Sequence, residues 1–259
     1  MILKILTLGD VVGPDAVEKI KNSLSAIRRS EKIDFVVING ENAADGGGMD
    51  IKSTEALIRS GADVVTAGNH TFKRSQIRGY LDDTREVIRP CNFPDEVSGN
   101  GYTVVTANGF KFLVMNVLGT VFMEPLACPF DTLDVLLKQA GNPKFCVVDF
   151  HAEATSEKVA MGHFLDGRVS AVWGTHTHVP TADTQILPKG TGYVTDLGMT
   201  GPKHSVLGIR PDLSIAKFRG DLTERYRWAD GPTKLEAVLF TIDTDTGLCR
   251  KAERVDLYD

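Results

Sequence analysis

Short apolar runs of strand type alternate with amphipathic segments of helix type through the first two-thirds of the chain. Residues Ile2–Leu8, 35–38 and Val64–Thr66 form the first three runs, and apolar residues at helical spacing follow the first two. Such alternation is typical of α/β folds, in which helices carry the chain back across a sheet of largely buried strands. The sequence therefore predicts an α/β fold.

The later part of the chain continues this rhythm and adds antiparallel strands. Residues 102–106 and 111–118 flank an Asn108-Gly109 turn, which predicts an antiparallel hairpin and hence a mixed sheet. The remaining predicted elements are strands at 144–150, 169–173, 237–242 and 250–255 and a helix at 157–165. No flexible linker, change of composition or internal repeat divides the chain, so we expect a single domain over residues 1–259.

The charge of the chain argues against binding to a nucleic-acid duplex. Lysine and arginine number 29 against 34 aspartates and glutamates, for a net charge of −5. Proteins that bind duplexes through phosphate contacts carry clustered basic side chains, and no basic tract here is longer than two residues. Small phosphorylated molecules remain candidate ligands, because metal ions or backbone amides neutralise phosphate without an excess of basic residues.

The cysteines and the apolar segments bear on the cellular compartment. Four cysteines lie far apart and form no Cys-x-x-Cys pair, which favours a reduced, cytoplasmic location. Lys4 interrupts the apolar N-terminal run, which stops at Gly9-Asp10, so we interpret it as a buried strand rather than a leader. No stretch reaches the roughly 18 apolar residues of a membrane helix, so no membrane partner is expected. A homo-oligomer is expected from chain size alone.

Five of the predicted strands end in side chains that carry chemistry. In α/β sheets, ligands bind outside the carboxyl ends of the strands, so these side chains are expected to converge on one site. Four of the six histidines lie in these turns. The residues concerned are Asp10, Glu41, Asn42, Asn69, His70, His151, His176 and His178.

Each of these residues also has an ordinary structural interpretation. The interpretations are a helix cap for Asp10 and for Asn69-His70, a turn for Glu41-Asn42, and a hydrogen-bonded core histidine for His151. The pair His176 and His178 is more specific, because alternate residues of an extended segment point the same way. For the site to be absent, a structural interpretation would have to apply separately at all five strand ends on one edge of the sheet. A single functional site accounts for all five together, so the pattern favours a functional site.

Apart from His70, the set offers three imidazoles, two carboxylates and two amide oxygens. This mixture suits Mn, Fe, Zn or Ni, and the absence of cysteine argues against a structural thiolate zinc site. Two ions about 3.5–4 Å apart that share a carboxylate and a bridging hydroxide would use all seven ligands and would act on phosphate esters. We therefore expect two divalent or mixed-valent metal ions, Fe or Mn in first place and Zn as the alternative.

The chain resembles the calcineurin-like metallophosphoesterases, whose motifs recur here in order. The matching segments are Gly9-Asp10-Val11-Val12-Gly13, Gly40-Glu41-Asn42, Gly68-Asn69-His70-Thr71, His151 and Gly174-Thr175-His176-Thr177-His178. The chain resembles more closely a bacterial subfamily of 2′,3′-cyclic-nucleotide phosphodiesterases, through segments 39–44, 149–158, 174–183 and 195–202. The resemblance implies an αββα sandwich, with two central mixed sheets flanked by helices.

The resemblance also implies a role for each site residue. It places Asp10, Asn42 and His178 at one metal, Asn69, His151 and His176 at the other, and Glu41 at both. Two departures from the broad family are Val12, where most members have a histidine ligand, and Glu41, where most have aspartate. Both departures recur in the bacterial subfamily, in which the residue matching Asn42 takes up coordination. His70 is implied to donate the proton to the leaving group.

These residues together predict a dinuclear enzyme that hydrolyses 2′,3′-cyclic nucleotides to nucleoside monophosphates. A metal-bridging hydroxide would attack phosphorus, and His70 would protonate the departing ribose oxygen. The alternatives are a metal-dependent phosphomonoesterase or phosphatase, a metal-containing nucleotide-sensing regulator, and metals with a purely structural role. We expect His163 and His204 outside the site. Substrate-contacting residues stay unassigned. Lys158, Lys203 and Arg210 could help to hold phosphate, but we interpret them as solvated surface charges.

Overall fold

The computed structural model describes residues 1–221 and 223–257. The helices are α1 (Gly13–Ser30), α2 (Ile51–Arg59), α3 (Ile77–Asp83), α4 (Pro129–Gln139), α5 (Thr155–Leu165) and α6 (Pro211–Phe218). The strands are β1 (Ile2–Leu8), β2 (Asp10–Val11), β3 (Phe35–Asn39), β4 (Val64–Thr66), β5 (Val87–Ile88), β6 (Tyr102–Ala107), β7 (Phe110–Leu118), β8 (Cys146–His151), β9 (Ala171–Thr175), β10 (Gln185–Ile186), β11 (Gly192–Val194), β12 (Met199–Pro202), β13 (Thr233–Lys234), β14 (Ala237–Asp243) and β15 (Cys249–Arg254).

Two six-stranded mixed sheets dominate the structure. The first has the order β15-β14-β1-β3-β4-β5, in which β1, β3, β4 and β5 run parallel and β14 runs antiparallel to both of its neighbours, β1 and β15. The second has the order β10-β11-β9-β8-β7-β6, with antiparallel pairs at its two ends. A small third sheet, β13-β12-β2, joins the start of α1 to the segment after β11.

The two large sheets pack face to face. Alternate residues of a strand point to opposite faces, so Leu3 and Ile5 of β1 enter the core between the sheets. Phe35 of the first sheet stacks on Phe112 of the second, with ring centroids 5.1 Å apart. The outer faces are covered by helices: α1, α2 and α3 pack on the first sheet, and α4 and α5 pack on the second. The predicted α/β fold, with mixed sheets flanked by helices, is confirmed.

The predicted strands and the helix predicted at 157–165 appear in the structure with bounds that differ by at most two residues. The predicted hairpin is present as β6 and β7, which pair antiparallel around the Asn108-Gly109 turn. The helix predicted at 157–165 begins two residues earlier, at Thr155. None of the helices formed by the described residues is long and apolar enough to cross a membrane.

Candidate metal centre

The ends of strands from all three sheets converge on one point. Glu41 and Asn42 follow β3 and Asn69 and His70 follow β4, all in the first sheet. The second sheet supplies His151, the last residue of β8, and places His176 and His178 directly after β9. Asp10 opens β2 in the third sheet. The predicted convergence of these eight residues at one edge is therefore what the structure shows.

Two overlapping groups of side chains have the geometry to hold metal ions. One consists of Glu41, His151 and His176, and the other of Asp10, Glu41 and His178. Within each group the candidate ligand atoms all lie within 4.8 Å of one another. Glu41 belongs to both groups, so the two groups lie next to each other.

The spacing around His151 fits a metal ligand set. Its Nε2 atom lies 3.1 Å from Oδ1 of Asn69, 3.1 Å from Nδ1 of His176 and 3.2 Å from Oε2 of Glu41. Ligand atoms that each sit about 2.0–2.2 Å from one ion are separated by about 3 Å from their neighbours. Gly68 leaves the room for this packing, because a Cβ there would collide with Oε2 of Glu41 and Nε2 of His151.

Asp10 carries a buried oxygen that calls for a cation. Its Oδ2 accepts a hydrogen bond from the backbone N–H of His176, at 3.0 Å. Its Oδ1 is buried and has no hydrogen-bond partner among residues 1–221 and 223–257, and lies 3.7 Å from Nε2 of His178. Burial raises the pKa of Asp10 to about 6. A buried carboxylate oxygen without a partner is costly, and a metal ion would satisfy it.

In each of the three histidines proposed as metal ligands, one ring nitrogen contacts a residue outside the ligand cluster. The three are His151, His176 and His178. Nδ1 of His151 lies 2.9 Å from the hydroxyl of Thr175, which donates to Oδ1 of Asp149 at 2.7 Å. Nε2 of His176 lies 3.0 Å from Oε2 of Glu153. Nδ1 of His178 lies 3.1 Å from the Leu207 carbonyl oxygen. Such contacts set the tautomer and turn the other nitrogen toward a metal.

Sequence reasoning missed these supporting residues. Thr175 stands directly before His176 and Glu153 stands two residues after His151, so proximity in the sequence is the one available signal. The Asp149 carboxylate, which also accepts hydrogen bonds from Asn39 and Thr66, lies on β8 among buried residues and gives no such signal.

Burial and neighbouring charges shift the pKa values of Glu41, His151 and His176. Burial disfavours protonation of His151, but the charge of Glu41 and the hydrogen bond to it outweigh burial and raise the pKa to about 9. Burial likewise disfavours the charged form of Glu41, yet His151 and His70 hold its pKa well below the usual range. Burial and the neighbouring charge of His151 lower the pKa of His176 to about 3, so this ring is neutral and has a lone pair to offer.

The segment that carries His176 and His178 is not extended, contrary to the sequence-based expectation. Both residues have positive φ, 99° and 62°, so the chain bends at each of them and the two rings reach different groups of the cluster. Thr177 lies between them and donates two hydrogen bonds to Oδ2 of Asp196, from its hydroxyl at 2.8 Å and from its backbone N–H at 3.2 Å. This anchor offsets the cost of two backbone conformations that side-chain-bearing residues rarely adopt.

Lys158 is a buried residue, so its interpretation as a solvated surface charge is wrong. Its side chain is 2% exposed and its Nζ lies 2.6 Å from Oδ2 of Asp196, which is 1% exposed. The same oxygen of Asp196 accepts the hydrogen bond from the Thr177 hydroxyl, so the ion pair contacts the bend that carries Thr177. A buried amine is retained where a buried carboxylate pairs with it. His163 and His204 are exposed.

Asn42 and His70 lie on one side of the cluster. The Asn42 amide donates to Oε1 of Glu41 at 2.7 Å, and its Oδ1 lies 3.1 Å from Nδ1 of His70. The same ring nitrogen lies 3.2 Å from Oε1 of Glu41. His70 is 40% exposed, and its ring lines a cavity beside the cluster.

The helix-cap interpretations find no support. The N-cap of α1 is Val12 rather than Asp10, and no side chain caps this helix. The helix after Asn69-His70 begins at Ile77, and its N-cap residue, Gln76, makes no side-chain cap either.

Comparisons with known proteins place this site in a family. A family model described as YmdB-like protein matches residues 6–255. A Bacillus subtilis (strain 168) protein named 2′,3′-cyclic-nucleotide 2′-phosphodiesterase is 45% identical over 258 residues, covering 99% of this chain and 98% of that protein. The names of the relatives confirm the prediction of a phosphoesterase enzyme.

Two crystal structures share the fold over almost their whole length. A hypothetical protein from Thermus thermophilus has a TM-score of 0.93 and 38% identity, with 99% of this chain and 100% of that chain covered. A Mycoplasma pneumoniae protein described as a novel phosphatase has a TM-score of 0.93 and 35% identity, with 100% and 94% covered. The chain therefore belongs to the YmdB-like protein family.

Proposed function

We propose that the chain is a dinuclear metal-dependent phosphodiesterase of the calcineurin-like type that hydrolyses 2′,3′-cyclic nucleotides. The observation that carries this proposal is the pair of overlapping ligand groups that share Glu41. The name of the Bacillus subtilis relative supports the choice of substrate. In this proposal the partner of the protein is a small nucleotide rather than a nucleic-acid duplex.

The seven proposed ligands divide between two metal positions. Asp10, Asn42 and His178 would hold one ion, Asn69, His151 and His176 the other, and Glu41 both. Nitrogen and oxygen donors without thiolate suit Fe or Mn, with Zn as the alternative. When bound, the ions neutralise phosphoryl oxygens and activate water for attack on phosphorus.

In this proposal His70 gives a proton to the leaving group. Its Nδ1 faces two acceptors, Oε1 of Glu41 at 3.2 Å and Oδ1 of Asn42 at 3.1 Å. These acceptors hold the Nδ1–H group and leave Nε2 as the nitrogen available to a ligand in the adjoining cavity. A general acid in such a position contributes about 10²–10⁴-fold to the rate.

The proposed reaction balances with one water molecule. Water attacks phosphorus, the bond between phosphorus and the 2′-oxygen breaks, and His70, protonated on both ring nitrogens as imidazolium, gives its Nε2 proton to that oxygen. The product is a nucleoside 3′-monophosphate, in agreement with the 2′ specificity in the name of the Bacillus subtilis relative. The proton lost by water restores His70 for the next turnover.

The test is hydrolysis of 2′,3′-cyclic AMP by metal-stripped protein after addition of Mn²⁺ or, anaerobically, Fe²⁺. Metal-dependent formation of one monophosphate isomer, measured by chromatography, supports the proposal. His70→Ala should lower kcat by at least about 10²-fold and retain both metals, whereas the exposed His163→Ala should change neither. Equal loss of metal and activity in His70→Ala would make His70 a ligand instead.

A phosphomonoesterase is the second candidate, because the related Mycoplasma pneumoniae structure is described as a phosphatase. Hydrolysis of p-nitrophenyl phosphate by the same metal-loaded protein, with no opening of the cyclic nucleotide, would favour it. Nucleotide binding without any turnover would favour the sensing role instead.

A further inference from the structure

A cavity of about 800 Å³ opens beside the cluster. Asn42, His70 and His178 form the wall nearest the proposed metals. The wall beyond them is aromatic and aliphatic, and we call this part the aromatic cavity, formed by Val12, Leu207, Ile209, Tyr226 and Trp228. The volume of the whole cavity falls within the 300–1,000 Å³ that small-molecule sites occupy.

Trp228 is the fixed wall of the aromatic cavity. It forms an antiparallel bridge with Ile209, and the flanking Ala229 N–H donates to the Gly208 carbonyl at 2.9 Å. The indole packs against backbone at two glycines with positive φ: a Cβ at Gly13 would lie 2.9 Å from Cδ1, and one at Gly208 would lie 3.5 Å from Cζ3. Gly13 begins α1 three residues after Asp10, so the indole packs next to the β2–α1 segment that carries a proposed ligand.

Tyr226 provides a second, more exposed aromatic surface at the rim. It is 43% exposed, and the Nζ of Lys217 lies 4.1 Å from the centre of its ring. A cation over a tyrosine ring holds that ring by cation–π attraction. Tyr226 therefore presents an exposed aromatic surface at the rim, and Lys217 supports its ring.

The charged residues around the aromatic cavity balance one another. Three cationic and three carboxylate side chains line the whole cavity. They are Lys73, Arg210, Arg227, Asp15, Asp45 and Asp230. Arg210 is paired with Asp212 at 2.7 Å, and Nζ of Lys73 donates to the Gly46 carbonyl at 3.0 Å. This lining suits an uncharged planar group better than a second phosphate.

We infer that the aromatic cavity binds the base of the nucleotide, with Trp228 and Tyr226 as the residues that recognise it. The inference rests on the proposed function for its substrate class. A 2′,3′-cyclic diester carries one organic substituent, because both ester oxygens belong to the same ribose. With phosphate at the cluster, one adjoining cavity is enough for that nucleoside, whereas a linear diester would need two.

The test measures binding without turnover, by calorimetry on Mn²⁺-loaded protein. Adenosine 3′-monophosphate should bind about 10- to 100-fold more tightly than ribose 3-phosphate, because stacking a base on an aromatic side chain contributes about 1–3 kcal/mol. Tyr226→Ala should reduce this ratio about fivefold or more, and Tyr226→Phe should preserve it. Tyr102→Ala is the matched control, since Tyr102 is 47% exposed on edge strand β6, outside the aromatic cavity.

Trp228→Leu should also reduce the ratio, and urea unfolding checks that this variant is folded. A wild-type ratio near one, or a ratio unchanged in Tyr226→Ala, overturns the inference whatever Trp228→Leu does. Intact base preference in a protein that opens no cyclic nucleotide would refute the proposed reaction and retain the aromatic cavity as a nucleotide site. The two failures are thus distinguishable.

Discussion

Replacing Thr175 by valine tests whether the residues behind the histidines set metal affinity. The hydroxyl of Thr175 lies 2.9 Å from Nδ1 of His151 and donates to Oδ1 of Asp149 at 2.7 Å. Valine has nearly the same shape, so the change removes these hydrogen bonds without opening a cavity. Thr175, His151 and Asp149 are all 0% exposed, and water therefore cannot replace the lost partner.

The magnitude follows from two separate losses. A buried group left without its partner costs about 1–3 kcal/mol of folding free energy, and removal of a hydrogen bond behind a metal-ligating histidine lowers metal affinity by about 10–100-fold. Thr175→Val should show both losses: a lower free energy of unfolding in urea without metal, and weaker Mn²⁺ binding in competition with a chelator. Thr175→Ser keeps the hydroxyl and should bind Mn²⁺ like the wild type.

Nitrogen NMR of the metal-free protein adds a direct readout, because the two ring nitrogens of His151 differ in shift according to which carries the proton. If Thr175→Val bound Mn²⁺ as tightly as Thr175→Ser, the hydrogen bond between the Thr175 hydroxyl and Nδ1 of His151 would have no role in metal binding. Equal loss of affinity in both variants would point to packing rather than to the hydroxyl.

Three further predictions concern the same edge of the sheets. Gly68→Ala should abolish metal binding and destabilise the fold by about 1–3 kcal/mol, because its Cβ would collide with the ring of His151; the matched Gly79→Ala, in open space on α3, should be neutral or slightly stabilising. Lys158→Met should lower the free energy of unfolding by about 3–5 kcal/mol, measured in urea, because it leaves Asp196 buried without its cation. Mn²⁺ affinity should rise about tenfold per pH unit between pH 6.5 and 8.5, since a proton held by His151 with a pKa of about 9 must leave before the ring can ligate; affinity independent of pH would contradict this.

The sequence predicted the core strands and the edge where the site lies, for a physical reason. Buried parallel strands such as β3 and β8 are nearly continuous apolar runs, so their ends are sharp, and polar residues after them stand out. The sequence could not predict the two-residue strands β2 and β5, because such short elements depend on pairing with distant segments.

The aromatic cavity was also invisible in the sequence. Tyr226 and Trp228 are more than 150 residues from His70, and they reach the site through the bridge to Ile209 rather than through any local motif. The bends at His176 and His178 were missed for a similar reason, since their anchor at Asp196 is distant in sequence. The single domain over residues 1–259, the metal identity, the cytoplasmic location and the homo-oligomer stay predictions.

The ligand set is shared between the two large sheets, and this has a consequence for the lifetime of the protein. Glu41 and Asn69 come from one sheet and His151 and His176 from the other, so a bound ion ties the two layers together at this edge. Free metal at 1,000 times its Kd adds about 4.1 kcal/mol to the unfolding free energy. Starvation for metal would then loosen the sandwich and expose the chain to proteases.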